Sequence, residues 1–389
     1  MLPNRQANLS SLRRDAWVEI DLNAIEENLK LVRSWLQPNI RGICPQLMAV
    51  VKSDAYGHGA ANVAELLAAS GGGVDWLGVA SIDEGTQLRA AGIKLPILIL
   101  SPTPSWAIST ALDNDLDITL TTEKQIRDVA ACGKARVHLE IDTGMHRLGI
   151  PVESVEEVLQ LIKSLENLEL VSVFSHLAKA SCAESVDKQN LLFGQAAQLA
   201  KKDFPNIFLH LASSEATGAF PQSHYDLVRV GLYLYGLEPN TVSLNLRPAL
   251  SVRARINHIS TIEAGQSVGY GLTWTAKQTT RLASIPIGYA DGVDRGLSNQ
   301  LPALIMGKKV NQVGRISMDQ MIFDITAVPE AQEGDVITLI GTDDHGENNS
   351  AEGLTLGNWA KSLDTITYEL ACRLRARLPR VYTRYKRKQ

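Results

Sequence analysis

The chain has 389 residues, 45% of them hydrophobic, with 38 basic against 42 acidic residues and a formal net charge of -4. That size and apolar content suffice for a large core and two domains, and they exclude wholesale disorder; the near-balanced charge excludes a nucleic-acid footprint. Cys44, Cys132, Cys182 and Cys372 lack the paired spacing of a zinc site or disulfide framework, MLPNRQANLSSLRRDAW has no apolar signal core, and no run nears the roughly 18 apolar residues of a membrane span, so a cytoplasmic protein without a bound metal is expected.

In chain order, WVEIDL (17–22) is strand-like and stands ahead of the first helical stretch, NAIEENLKLVRSWL, as a candidate for pairing with the second domain rather than the first. Eight short apolar runs follow: MAVVK (48–52), WLGVAS (76–81), PILIL (96–100), DITL (117–120), VHLEID (137–142), LVSVFSH (170–176), IFLHLAS (207–213) and LVRVG (227–231). Most are separated by helical stretches such as GAANVAELLAAS and VESVEEVLQLIKSLE, and eight strand-helix units predict a (β/α)8 barrel over residues 1–250. From 251 to 389 the pieces SVRARINHIS, SVGYGLTW, RLASIPIGYADG, ALIMG, VNQVGRIS, MIFDIT and DVITLIG are strand-like and broken by glycine, which predicts a second, mainly antiparallel β domain. The basic end, RLPRVYTRYKRKQ, reads as a solvated tail.

The densest chemistry lies in AVVKSDAYGHG (49–59), where Lys52 ends a buried strand. Barrel active sites form at the C-terminal ends of strands, and a lysine placed there is costly to bury unless it is paired or chemically employed, most commonly in a Schiff base. From position alone, a lysine whose amine reaches solvent fits at least as well.

KSDAYGHG resembles the pyridoxal-phosphate lysine motif of the alanine racemases, K-A-N-A-Y-G-H-G, with Ser53 and Asp54 departing from it. WVEIDLNAIEENL, DTGMHRLG, FSHLAKA, VRVGLYLYG, VGYG, GYADG and GRISMDQ follow the same family's order over nearly the whole chain. The resemblance implies pyridoxal 5'-phosphate held by Lys52 as a Schiff base, with Tyr56 on its phosphate, Arg147 facing its phenolic oxygen and His176 against its ring. It also places Ser213, Ser214, Gly231 and Leu232 around the phosphate and Arg229 at the ring nitrogen; these positions agree with the independent rule that barrel phosphate sites follow strands seven and eight. An arginine cannot accept the ring proton, so the carbanion would be less delocalised and returned quickly to Cα, as a racemase needs.

From the second domain the family supplies Tyr270 as the base opposite Lys52, the backbone of Met318 beside Asp319 at the substrate carboxylate, and Tyr368 narrowing the entrance and reaching the phosphate. Tyr270 needs nearby positive charge, expected from His176 and Arg229. Arg295 and Arg315 match outer-entrance positions. The implied activity is interconversion of L- and D-alanine by two bases in a homodimer with shared sites, supplying D-alanine for the cell wall. Singly, each residue has a plainer use: His176 as a satisfied core histidine, SSEATG as a helix cap, Arg147 as a bridge to Asp142, Tyr270 as core packing.

Three positions depart from the family. Glu140 replaces a frequent carbamylated lysine, bringing negative charge on a shorter arm; Ser181 replaces a gate aspartate, and Ser317 a cysteine beside Met318. A racemase acting on serine or lysine, a related barrel-type amino-acid decarboxylase and a non-enzymatic pyridoxal-phosphate carrier are the rivals. KSDAYGHG and SMDQ weigh against the decarboxylase, and Tyr270, Met318 and Tyr368 against the carrier.

Overall fold

The computed structural model describes residues 13–38, 42–69, 73–237, 244–342 and 354–384; the leading segment before Arg13 and the basic residues after Arg384 lie outside them. The chain forms two compact units, one of Glu26–Leu234 and one joining the residues up to Ile25 with those from Tyr235 onward. The first strand, β1 (Ala16–Asp21), belongs to the second of these.

In the first unit the eight apolar runs are all strands: β2 (Gln46–Val50), β3 (Trp76–Val79), β4 (Ile97–Ile99), β5 (Asp117–Leu120), β6 (Ala135–Asp142), β7 (Leu168–Phe174), β8 (Phe208–His210) and β9 (Leu227–Val230). They pair in parallel in the order β9-β2-β3-β4-β5-β6-β7-β8. Asp226 N–H donates to Leu209 O at 2.9 Å and Arg229 N–H to Ala212 O at 3.0 Å, which nearly closes β8 onto β9 and completes the expected (β/α)8 barrel. Strands of such a barrel are covered on both faces, which is why they read as continuous apolar runs and not as alternating ones.

The intervening helices show the usual causes of helix formation. Over Val155–Lys163, Val155, Val158, Leu159 and Ile162 make one buried stripe at helical spacing. Thr122 starts the helix Glu123–Cys132, its hydroxyl accepting from Gln125 N–H at 3.2 Å.

The second unit is built on a nine-stranded sheet. Its further strands are β10 (Leu250–Arg255), β11 (His258–Ile262), β12 (Thr280–Ile285), β13 (Pro302–Ile305), β14 (Lys308–Val313), β15 (Met321–Asp324), β16 (Val336–Ile340) and β17 (Arg380–Thr383). The order is β11-β12-β15-β14-β13-β16-β10-β1-β17, antiparallel throughout except that β1 and β17 run parallel.

Two sequence expectations need correction. The basic end is not a solvated tail as far as Thr383: Arg380–Thr383 is an edge strand on β1, with Val381 buried. Flanking arginines disguise the short β-branched and aromatic core of that strand. SVGYGLTW is not one strand either; Ser267–Val268 pairs with Trp274–Thr275, and Tyr270–Leu272 forms a 3-10 turn between them.

Candidate active site

At the end of β2 the chain turns left-handed. Ser53, Asp54, Ala55 and Tyr56 have φ of 54, 53, 54 and 54°, a single turn of left-handed helix starting at Lys52. For non-glycine residues this costs about 1–2 kcal/mol each, so the surroundings must hold it. Ala55 N–H donates to Val51 O at 2.8 Å, Gly59 N–H to Asp54 O at 2.8 Å, and Ala60 N–H to the Asp54 carboxylate at 2.7 Å. Glu84 accepts from Ser53 N–H and Ala80 N–H, both at 2.7 Å, and buried His58 donates Nδ1–H to the carbonyls of Ala55 and Tyr56, both at 3.0 Å. The turn carries the Tyr56 hydroxyl against the end of β9: a Cβ on Gly231 would lie 2.8 Å from it. Gly231 N–H donates to the buried Ser214 hydroxyl at 2.9 Å, so Tyr56, Ser214 and Gly231 form one small polar cradle, with Leu232 next in the chain.

Ser213 occupies the N-cap position of the helix Ser214–Ala219, yet its side chain makes no capping bond, so capping does not explain its hydroxyl. Arg147 does not bridge Asp142: the Asp142 carboxylate accepts from Gly144 N–H at 2.9 Å and His146 N–H at 3.0 Å and meets His146 Nδ1 at 3.0 Å, and no bond to Arg147 exists among the described residues.

Arg229 is the buried cation of this mouth. Its guanidinium donates to the carbonyls of Ser175 at 2.7 Å, His210 at 3.1 Å and Leu211 at 3.3 Å, to His210 Nδ1 at 2.7 Å and to His176 Nδ1 at 3.3 Å. Burial pushes its pKa down to about 10, with the Glu140 charge opposing the fall, so it remains charged at neutral pH. His176 is pushed down to about 3 by burial and then by the charges of Arg229, Arg147 and Lys52. It is therefore neutral and cannot supply the positive charge expected of it. Glu140 is raised by burial despite Arg229 and Arg147, and its Oε2 is buried without a hydrogen bond among the described residues. No ion pair joins it to Arg147 among them.

The second unit brings its own group of candidate residues together. Asn299 donates to Thr273 Oγ1 at 3.2 Å and accepts from Gly314 N–H at 2.7 Å, tying the Tyr270 turn to the loop of Arg315 and Met318. Gly288 packs so close to that loop that a Cβ would lie 2.3 Å from Ser317 O, and Tyr289 N–H and Ala290 N–H donate to Ser317 O and Met318 O, both at 3.0 Å. Buried Asp291 holds the same segment through Gly288 N–H at 2.9 Å and Arg14 at 2.5 Å. Tyr270 and Met318 are 72% and 52% exposed. Asp319 is taken by Arg377 at 2.6 Å, Arg295 is exposed, and Tyr368 is half-buried on the helix Thr367–Arg373. In the first unit, Ser181 is exposed.

Residues 20–239 match the family model described as alanine racemase, N-terminal domain, and residues 249–382 the one described as alanine racemase, C-terminal domain. The chain belongs to the alanine racemase family. It is accordingly a racemase, an isomerase. It is 43% identical to an alanine racemase of a Nostoc species over 94% of this chain and 95% of that one. Among solved structures it resembles the alanine racemase of Clostridium difficile, with a TM-score of 0.87, 34% identity and 96% and 97% of the two chains covered. The Bacillus anthracis alanine racemase with bound L-Ala-P gives a TM-score of 0.84 at 32% identity, covering 96% of each chain.

Sequence reasoning missed two features of the mouth, the left-handed turn and a file of polar side chains beneath Arg229. The second had a signal: His138, Ser172 and His210 are polar residues buried within largely apolar strands.

Proposed function

We propose that this chain interconverts L-alanine and D-alanine using pyridoxal 5'-phosphate, as a cytoplasmic homodimer supplying D-alanine for cell-wall synthesis. The observation that carries the reading is the polar cradle at one barrel mouth: Tyr56 and Ser214 meet a glycine whose absent Cβ leaves the room, beside Arg229 buried as a cation. The residues present fit the cofactor. Lys52 would hold its aldehyde carbon, Tyr56, Ser213, Ser214, Gly231, Leu232 and Tyr368 its phosphate, Arg147 its phenolic oxygen, and neutral His176 its ring face.

Bound there, the cofactor supplies an electron-withdrawing ring that acidifies the α-hydrogen of an attached amino acid. Arg229 retains its own protons and would offer the ring nitrogen donors only, which would leave that nitrogen unprotonated and the electron sink shallow. The Lys52 amine moves the proton on one face of Cα and the Tyr270 hydroxyl, contributed by the partner subunit, moves it on the other. Met318 O is occupied by Ala290 N–H, which leaves Met318 N–H as the donor a substrate carboxylate requires. Glu140 brings negative charge towards Arg147 and Arg229 in place of a carbamylated lysine.

The test combines a circular-dichroism assay on L-alanine, with serine and lysine as competitors, and borohydride reduction of the cofactor-loaded protein followed by peptide mapping. Racemisation of alanine with label on Lys52 is expected. Label on any other lysine, or preference for serine or lysine, overturns the assignment.

A further inference from the structure

Beneath Arg229 the barrel interior holds a continuous file of hydrogen-bonded side chains. Arg229 Nη1 lies 2.7 Å from His210 Nδ1, His210 Nε2 2.8 Å from Ser172 Oγ, Ser172 Oγ 2.6 Å from His138 Nδ1, and His138 Nε2 2.9 Å from Asp117 Oδ2. Asp117, His138, Ser172 and His210 are all at most 3% exposed. Register explains the alignment: His138 pairs with Ser172 across β6 and β7, and Phe174 with His210 across β7 and β8.

We propose that Asp117, His138, Ser172 and His210 are positioning residues that fix Arg229 through hydrogen bonds all donated in one direction, from the barrel mouth to the carboxylate at the start of β5. The inference rests on the reading of Arg229 as the group facing the cofactor's ring nitrogen.

A guanidinium has donors only, so His210 Nδ1 must accept from it. Burial, and after it the nearby charge of Arg229, hold the His210 pKa well below its ordinary value, so the ring is neutral and its one proton sits on Nε2. That proton is donated to Ser172 Oγ, and Ser172 passes its single hydroxyl proton to His138 Nδ1. His138 then carries its proton on Nε2 and donates it to Asp117, which also accepts from Arg136 at 3.1 Å. Reversing one link sets two N–H groups, or two lone pairs, against each other in a dry interior. Aligned bonds there polarise one another in the same sense.

The carbonyls of Ser175, His210 and Leu211 would hold a guanidinium without this file. They would not set the proton position of His210. With its proton on Nδ1 that ring would face Arg229 donor to donor at 2.7 Å and push the guanidinium off its place. Phe174, stacked on His210 with centroids 4.7 Å apart and planes at 8°, holds the ring in the plane the file needs.

The experiment is 15N NMR of histidine side chains in the full-length protein, before and after loading with pyridoxal phosphate. His210 is expected to be neutral with its proton on Nε2 from about pH 6 to 8, the range in which ordinary histidines titrate, and His138 to present Nδ1 to Ser172 as an acceptor. Ser172→Ala should scramble the proton position of both rings and lower kcat on the order of threefold to tenfold, the effect of one neutral hydrogen bond. A proton on Nδ1 of His210, an imidazolium at His138, or a Ser172→Ala spectrum unchanged at both rings overturns the proposal. Should Ser172→Ala not fold, the wild-type pattern decides alone. The spectra do not depend on bound cofactor, so a chain that binds none would sink the proposed function and leave this inference standing.

Discussion

In the barrel unit Arg229 is enclosed by three carbonyls and two imidazoles, and Tyr56 is set by a strained turn that seven hydrogen bonds hold. In the sheet unit Tyr270, Leu272 and Met318 are ordered by their loops, yet stand 72%, 66% and 52% exposed. One region is furnished from within its own chain. The other fixes its backbone and leaves large apolar side chains in water, the usual mark of a surface that another molecule completes. On our reading that molecule is a second copy, and this difference is what experiments should attack.

The sharpest attack is complementation. Lys52→Ala and Tyr270→Phe proteins should each be nearly inactive, but mixing them with subunit exchange should restore activity. Half of the dimers are then mixed and one site in each regains both bases, about a quarter of all sites. No recovery after exchange is verified by mass would mean that each chain builds its own site.

Tyr270→Phe alone should slow racemisation on the order of 10²- to 10⁴-fold, the usual cost of losing a general base. Equal free energies of the enantiomers force both directions to slow together, so rates say little about which face was lost. Exchange does say. In heavy water the variant should still wash out the α-hydrogen of D-alanine through Lys52 while L-alanine hardly exchanges. Equal exchange of both would remove Tyr270 from the role of second base.

Within the enclosed region, Gly231→Ala should weaken pyridoxal phosphate binding by about tenfold, on the order of 1.4 kcal/mol. The new Cβ would lie 2.8 Å from the Tyr56 hydroxyl, which the left-handed turn cannot readily move. Gly218→Ala is the control, since its Cβ meets nothing closer than 3.5 Å. Equal cofactor affinity in the two variants would show that Tyr56 does not touch the phosphate.

The barrel was legible in the sequence because strands covered on both faces read as short, largely apolar runs, and eight of them alternate with helical stretches. The Lys52 motif was legible through its family likeness. Its left-handed conformation was not, because Ser53 and Ala55 carry no local preference for it and Asp54 only a weak one; distant groups such as Glu84 impose it. Arg380–Thr383 hid for the opposite reason: its strand character is local, but the surrounding arginines outweigh it in any composition window. The His176 charge was misjudged because burial and three nearby cations are properties of the fold, invisible along the chain.

The smallest expected effect is in the pH dependence of folding, and it separates the two regions without reference to catalysis. His176 has a folded pKa of about 3 and His210 lies well below its ordinary value, whereas unfolded histidine titrates near 6.5. Between those limits the unfolded chain binds more protons than the folded one. Stability therefore rises with pH across this window, is fully present above about pH 6.5, and drains away as pH falls towards 3. Glu140 acts in the opposite sense: its folded pKa is raised, so the fold gains relative stability as pH falls through that value. One carboxyl opposes two imidazoles, and the imidazoles should win. Both belong to the enclosed region, where Arg229 already donates to His176 Nδ1 and a proton there would set two donors face to face. The melting temperature should therefore fall on acidification from about pH 6.5 to 4.5, and His176→Asn should flatten that slope, because asparagine can accept from Arg229 without titrating. Equal slopes in the two proteins would mean that His176 protonates freely in the folded state and that the barrel mouth is wetter than its packing implies.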